Sequence, residues 1–184
     1  LSLSLWCHIS AYRALAAFER QETGARQSGM GGAFSAVGGD VHSLFHNPAG
    51  LAYLNRKELS SSYSKLSIGL DDKSDLSSSL LIYGQPINRW GSLGAGWLEM
   101  KLDGLYKERT LALGYGHDWT DKLALGAVLK QLQVSVEAPG TNYDNNGMVE
   151  TRADPTFARR NTAGGIGADL GILYEPIPKC SLGL

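Results

Sequence analysis

The sequence is poor in the residues that mark catalytic, metal-binding and disulfide-linked domains. Its two cysteines, Cys7 and Cys180, stand near opposite ends of the chain and are too few for a metal cluster or a disulfide framework. Gly31-Gly32 is not followed by the Lys and Ser or Thr of a phosphate-binding loop, and no nucleophile elbow is present. We therefore expect no enzyme activity, no cofactor and no bound metal.

An excess of one charge and long apolar runs are also lacking. The 17 Lys and Arg stand against 18 Asp and Glu, for a formal net charge of -1. Without basic clusters to neutralise phosphates, a nucleic-acid partner is excluded. After residue 17 no segment offers the ~18 consecutive apolar residues of a transmembrane helix. A membrane β-barrel stays possible, because its strands need only about ten residues each, with every second one facing lipid.

The first segment, residues 1–17, resembles the end of a secretory signal peptide. It begins Leu-Ser-Leu-Ser-Leu and reaches an A-x-A pattern at Ala14-Leu15-Ala16. A basic leading region is missing, and His8 and Arg13 interrupt the apolar run. We interpret the segment as a truncated signal and predict export, with a poorly packed amphipathic helix as the alternative.

From Lys57 onward the chain divides into strand-like segments separated by residues typical of turns. The segments cover residues 57–70, 76–87, 91–102, 105–117, 123–136 and 164–175, and a further one starts at Cys180. Their spacing predicts an all-β fold, an antiparallel meander. The gaps after 87, 117 and 175 are short, whereas those after 70, 102 and 136 include the long, polar Glu137 to Ala163. Short turns on one side and longer loops on the other are typical of outer-membrane barrels.

Two segments separate bulky from small residues. In 105–117, Leu111, Leu113 and Tyr115 alternate with alanine and glycine, and 164–175 behaves in the same way. A soluble sandwich, which is the alternative fold, would expose Lys, Glu and Thr opposite its core. Small residues on one face, with Asp169 among them, instead predict a barrel that faces lipid with its bulky side and its lumen with Asp169.

The alternation slips in two other segments, 91–102 and 123–136. In both, the apolar residues change sides partway along the segment. An extra residue in one strand would produce such a change, so we predict β-bulges near Leu98 and Lys130.

The most informative part of the chain is residues 24–54, which is rich in glycine and ends in Asn47-Pro48-Ala49-Gly50-Leu51. Ser35 to Phe45 is predicted to be helical, and Pro48 is predicted to open a second short helix with Asn47 as its N-cap. Gly29 to Gly32 is interpreted as flexible backbone in close contact with its surroundings. His42 and His46 would share one helix face, but no third metal ligand is evident.

This segment resembles the amino-terminal region of the FadL-type outer-membrane transporter superfamily, and in particular its PorV/PorQ branch. The resemblance rests on Gly-Met-Gly-Gly-Ala followed, after a similar interval, by Asn-Pro-Ala-Gly-Leu. It implies that residues 18–56 form a plug or hatch inside a barrel, and that residues 57–184 form the first half of that barrel, incomplete at its carboxyl end. The motif residues of the implied plug are Gly29, Met30, Gly31, Gly32, Ala33, Asp40, Asn47, Pro48, Ala49, Gly50 and Leu51.

The resemblance also implies a location and a set of partners. The location is the bacterial outer membrane, with its lipid as one partner. A FadL-like protein would bind or passively transport hydrophobic small molecules. A PorV-like protein would instead bind secreted cargo proteins or components of a type IX secretion system. A soluble structural β-sheet protein is the remaining alternative.

Overall fold

The computed structural model describes residues 24–65, 76–102, 106–136, 142–143, 149–150, 162–177 and 180–184. Its main feature is a curled antiparallel meander of seven strands in the order β1-β2-β3-β4-β5-β8-β9. The strands of this sheet are β1 (Glu58–Lys65), β2 (Leu76–Pro86), β3 (Ser92–Leu102), β4 (Tyr106–Thr120), β5 (Leu123–Val136), β8 (Thr162–Ile177) and β9 (Cys180–Gly183). The all-β meander predicted from the turn spacing is confirmed.

A small second sheet lies within the long connection between β5 and β8. It pairs β6 (Asn142–Tyr143) with β7 (Val149–Glu150). The rest of that connection, like the segment 1–17 interpreted as a signal peptide, lies outside the described residues. In the part of the chain that the structure describes, no helix is long and apolar enough to cross a membrane.

The predicted bulges near Leu98 and Lys130 are wrong. The pairing of β3 with β4 and of β5 with β8 runs through both positions without a shift. The register shifts instead between Asp118 and Thr120, at the end of β4, and between Tyr174 and Ile177, at the end of β8. The apolar residues change sides for another reason. The residues on one face of β3 change from Leu, Ala and Trp to Glu99 and Lys101. The apolar band on that face therefore ends before the strand does.

Residues 24–54, here called the helical segment, pack against one face of the sheet. The segment contains α1 (Ala25–Gly29), α2 (Ser43–His46) and a 3-10 helix (Pro48–Tyr53). The predicted helix over Ser35 to Phe45 is wrong for most of its length, since only its last residues are helical. Gly38-Gly39 interrupts it, as expected for residues that weaken a helix interior.

The core lies between the helical segment and this face of the sheet, which we call the inner face. Leu44 and Leu51 from the segment are fully buried there, as is Ile82 from β2. The other members of the cluster are Val41, Leu54, Leu80, Ala112 and Val128. The opposite face, the outer face, carries exposed bulky residues, such as Leu81 of β2, Leu113 of β4 and Leu170 of β8. The helical segment therefore supplies half of the apolar core.

Glycines on the inner face allow the segment to lie directly on the strands. A Cβ atom at Gly116 of β4 would lie 2.7 Å from the backbone nitrogen of Ala52, and one at Gly171 of β8 would lie 2.7 Å from Pro48 Cδ. At Gly126 of β5 a Cβ would overlap backbone atoms of the 3-10 helix. We call these three glycines the glycine seat. The high glycine content is explained here by close approach of two backbones.

The close contact at the glycine seat predicts that strand β8 tolerates an added methyl group at Gly165 and not at Gly171. Gly171→Ala would force Pro48 and the side chain of Asn47 away from the strand, so we expect a loss of about 1–3 kcal/mol in the free energy of unfolding, the usual cost of overpacking. Gly165→Ala is the matched control, because a Cβ there meets nothing within 4 Å. Denaturant titration measures both. Equal stability of the two variants would contradict the close contact.

Candidate functional site

Asn47 is the central polar residue of the interface between the helical segment and the sheet. Its side chain is 2% exposed, and its Oδ1 accepts a hydrogen bond from the Ala49 backbone nitrogen at 3.1 Å. Its Nδ2 donates to the carbonyl oxygens of Ser35 at 2.7 Å and Ile172 at 2.9 Å. The predicted N-cap is thus confirmed. The same amide also ties together two parts of the segment and strand β8.

The rest of the motif, Pro48 to Leu51, is buried and structural. Pro48 takes the first position of the 3-10 helix, where its missing N–H costs nothing. Gly50 has no room for a side chain, since a Cβ would lie 2.8 Å from the Val37 carbonyl oxygen. Leu51 enters the core fully buried. Burial and close packing therefore account for Pro48, Gly50 and Leu51 without a reacting group.

The first half of the motif, Gly29 to Ala33, behaves differently. It forms the turn after α1, where the Gly32 nitrogen donates to the Gln27 carbonyl at 2.9 Å. Gly31 and Gly32 adopt φ of 60° and 75°, the left-handed region that favours glycine. The expected close contact is wrong at Gly29 and Gly31, because a Cβ at either would meet nothing within 4 Å. Met30 and Ala33 are exposed.

A chain of polar side chains joins the helical segment to the edge strand β1. Asp40 Oδ1 lies 2.8 Å from His42 Nδ1, and His42 Nε2 lies 3.1 Å from the hydroxyl oxygen of Ser60. Arg26 donates to Asp40 Oδ2 at 3.1 Å, and Glu58 accepts from the Val41 nitrogen at 3.3 Å. Burial acts to raise the pKa of Asp40, but the interactions with His42 and Arg26 outweigh it and lower that pKa below its usual value.

The Asp40, His42 and Ser60 contacts follow the order of a catalytic triad, but their setting differs from one. Ser60 lies inside β1 opposite Ile82, whereas a nucleophilic serine stands on a sharp turn beside N–H groups that stabilise an oxyanion. We therefore interpret the three residues as a hydrogen-bonded tether. The tether could not be predicted from the sequence, because Ser60 is one of several serines in its strand.

The two histidines considered as metal ligands do not converge. The ring of His42 contacts Asp40 and Ser60, whereas the ring of His46 packs edge-on against Phe34 at 5.3 Å between centroids. Among the residues that the structure describes, no group of three or more His, Cys, Asp or Glu is placed to hold a metal ion.

Asp169 lies on the inner face of β8, opposite Val128 of β5. Its carboxylate forms an ion pair with Lys130, which belongs to the same face of β5. On this face of β4, Glu108 accepts a hydrogen bond from the hydroxyl of Tyr106. Beyond the helical segment, towards the long connections, the inner face is therefore lined partly by charged and hydrogen-bonding groups.

Comparison of the chain with models of known protein families, with curated proteins and with solved structures found no match. The residues and their geometry are therefore the basis for any functional conclusion.

Asn47 gives a test of the site. In Asn47→Ala the N-cap is lost and the carbonyls of Ser35 and Ile172 lose their donor, so we expect the free energy of unfolding to fall by about 2–4 kcal/mol. Asn47→Asp keeps the acceptor for Ala49 but removes both donors, and should also destabilise. Asn55→Ala, at an exposed position just beyond the segment, is the control. Denaturant unfolding with tryptophan fluorescence measures all three. A stable Asn47→Asp variant would show that the link to β8 contributes nothing.

Proposed function

We propose that this chain forms part of the wall of an outer-membrane β-barrel, with the helical segment as its plug, and that the protein binds or passively transports hydrophobic small molecules. The observation that carries the proposal is the outer face of the sheet, where bulky apolar side chains stand exposed. The resemblance to FadL-type proteins agrees with this reading, and the tight seat of the helical segment is what a plug requires.

The outer face carries exposed apolar residues on all seven strands of the sheet. Leu113 is 66% exposed, Ile166 79% and Leu170 82%. A soluble protein rarely leaves such a large contiguous apolar surface in water, and a sandwich would cover it with a second sheet. In a bilayer the same side chains contact lipid, which removes the free-energy cost of exposing them to water. Other exposed apolar residues of this face are Leu59, Leu81, Tyr83, Leu93, Leu111, Tyr115, Leu125, Leu129, Ile172, Tyr174 and Leu182.

The two ends of the apolar band differ in a way that suits a membrane. At the end with short turns, Trp90 and Trp119 are each 69% exposed, and the Tyr115 hydroxyl donates to the Trp90 carbonyl at 2.5 Å. Aromatic residues of this kind form the girdles of membrane barrels. At the other end, outward positions are polar, as in the pair Arg109 and Gln133.

A membrane location also has a consequence for the edges of the sheet. Strands β1 and β9 each pair along one side within the described sheet. In lipid, unpaired N–H and C=O groups at such edges cost several kcal/mol each. A membrane location therefore requires both edges to pair with further strands, as in a closed barrel.

A ligand of apolar character fits the outer face as well. A groove of about 1120 Å³ lies there and is lined by Leu81, Tyr83, Ala95, Trp97, Leu111 and Leu113, among others. Its volume lies slightly above the roughly 300–1,000 Å³ that small-molecule sites span. The apolar lining supports a hydrophobic ligand, a class that includes lipid acyl chains. The alternative role in protein secretion rests on the resemblance alone.

The membrane location predicts that one substitution lowers the stability of the protein far more in lipid than it would in water. Leu170→Arg places a charge on the apolar band, so in lipid we expect a loss of about 2–4 kcal/mol. At an exposed position in water the same change would cost less than about 0.5 kcal/mol. Gln133→Arg, on the polar rim of the same face, is the matched control. The measurement is the denaturant midpoint of the protein folded into vesicles. Equal midpoints for the two variants would contradict a lipid-facing outer face.

The plug predicts a change in permeability. Deletion of residues 31–54 removes the 3-10 helix and its Asn47 link, so vesicles containing the variant should admit small solutes faster than vesicles containing the intact protein. Gly165→Ala, which leaves the seat intact, serves as the control. The barrel state is checked by heat-modifiable gel mobility. Unchanged permeability in a folded barrel would contradict the plug.

A further inference from the structure

Four charged side chains form a compact patch on the outer face, at the end of the apolar band near the long connections. Glu99 and Lys101 come from β3, and Lys107 and Arg109 come from β4. The register places Glu99 opposite Arg109 and Lys101 opposite Lys107. Three cations and one anion thus share two adjacent rows of the sheet. We call this group the cationic patch.

The carboxylate of Glu99 holds two of the cations in place. Its Oε2 accepts from Nε and Nη2 of Arg109, each at 3.2 Å, and lies 3.1 Å from Lys107 Nζ. The Glu99 side chain is only 14% exposed, whereas those of Arg109 and Lys107 are 40% and 36% exposed. A guanidinium has five N–H donors and an ammonium has three. Both cations are therefore accessible to a second acceptor from outside.

An anionic group above the patch would contact Lys107 and Arg109 at once, and hydrogen bonds between ionised partners are the stronger kind.

The patch adjoins the apolar groove directly. Trp97 lies two residues before Glu99 on the same face of β3, and Leu111 lies two residues after Arg109 on β4. Two residues along a strand span roughly 7 Å, about the separation between a phosphate and the start of its acyl chains. Both Trp97 and Leu111 line the groove. Along the strands the charged patch is thus followed by an apolar groove, just as the charged headgroup of an amphiphile is followed by its apolar tail.

We propose that the cationic patch binds the phosphate headgroup of an anionic lipid whose acyl chains lie in the groove. This inference rests on the proposed membrane location, because it takes the outer face to be in contact with lipid. It names the amphiphile class that the face selects: phosphorylated lipids over zwitterionic ones. Arg109 and Lys107 are the phosphate contacts, and Glu99 competes with the phosphate for their donors.

The test compares binding of the chain to phosphatidylglycerol and phosphatidylcholine. The intact protein is folded into vesicles of either lipid, and the lipids retained after exchange into mixed micelles are counted by mass spectrometry. We expect Lys107→Gln and Arg109→Gln each to reduce the preference for phosphatidylglycerol by roughly fivefold, the usual effect of one basic side chain near an anionic lipid surface. Arg89→Gln and Lys122→Gln, cations at the opposite end of the strands, should leave it unchanged.

Glu99→Gln gives the sharpest distinction. A merely structural Glu99 would make this variant behave like Lys107→Gln, with a reduced preference. A carboxylate that competes with the lipid phosphate makes the preference rise instead, because the glutamine no longer neutralises the two cations. Loss of preference in Glu99→Gln, or equal losses in the Arg89 and Lys122 variants, would overturn the proposal.

Two further outcomes separate the possible failures. If inorganic phosphate binds at Lys107 and Arg109 while the protein shows no preference for phosphatidylglycerol, the patch binds free phosphate rather than lipid, and the proposal is wrong. If the chain inserts into phosphatidylcholine but shows no preference, the patch proposal fails and the membrane proposal stands. If it inserts into neither lipid, the proposed membrane location itself fails.

Discussion

The contact on which the structure depends is the close approach of the 3-10 helix to strands β4, β5 and β8. Gly116, Gly126 and Gly171 leave the space for it, and Pro48 to Leu51 fill that space with backbone. A backbone so close to a sheet needs its polar groups satisfied. Asn47 does this with one amide, capping the helix and bonding the Ile172 carbonyl. The Asn47 side chain therefore contributes both to the packing and to the hydrogen bonding of this interface.

The seat also determines what each face of the sheet can do. Where the 3-10 helix lies on the strands, the inner positions are glycines, whereas on the outer face Leu113, Leu129 and Leu170 remain exposed. The helical segment covers one face and leaves the other for a different apolar environment. This distribution is the reverse of a soluble sandwich, whose large residues meet in the interior.

Much of the sheet could be predicted from the sequence because turn residues and a period of two are local signals. The alternation around Leu111 to Gly116 and the cap at Asn47 both depend on neighbours in the chain, and both are found. The supposed bulges at Leu98 and Lys130 show the limit of this reasoning. A change in apolar parity has two causes, a shifted register or the end of an apolar band, and the local sequence does not separate them.

The contacts that the sequence did not reveal are those between distant residues. The tether from Asp40 through His42 to Ser60 requires a serine on an edge strand to face the helical segment. Which serine does so depends on the register of β1 with β2. The second role of Asn47, its bond to β8, depends in the same way on the curl of the whole sheet.

The bond between Asn47 and Ile172 spans 125 residues, and this separation has a consequence for the order of folding. Contacts between residues far apart in the chain form late, because closing a long loop costs entropy before the contact returns any energy. The 3-10 helix cannot occupy its full seat until β8 has joined β5. The helical segment precedes β8 in the chain, yet it reaches its final position only after β8 has joined the sheet.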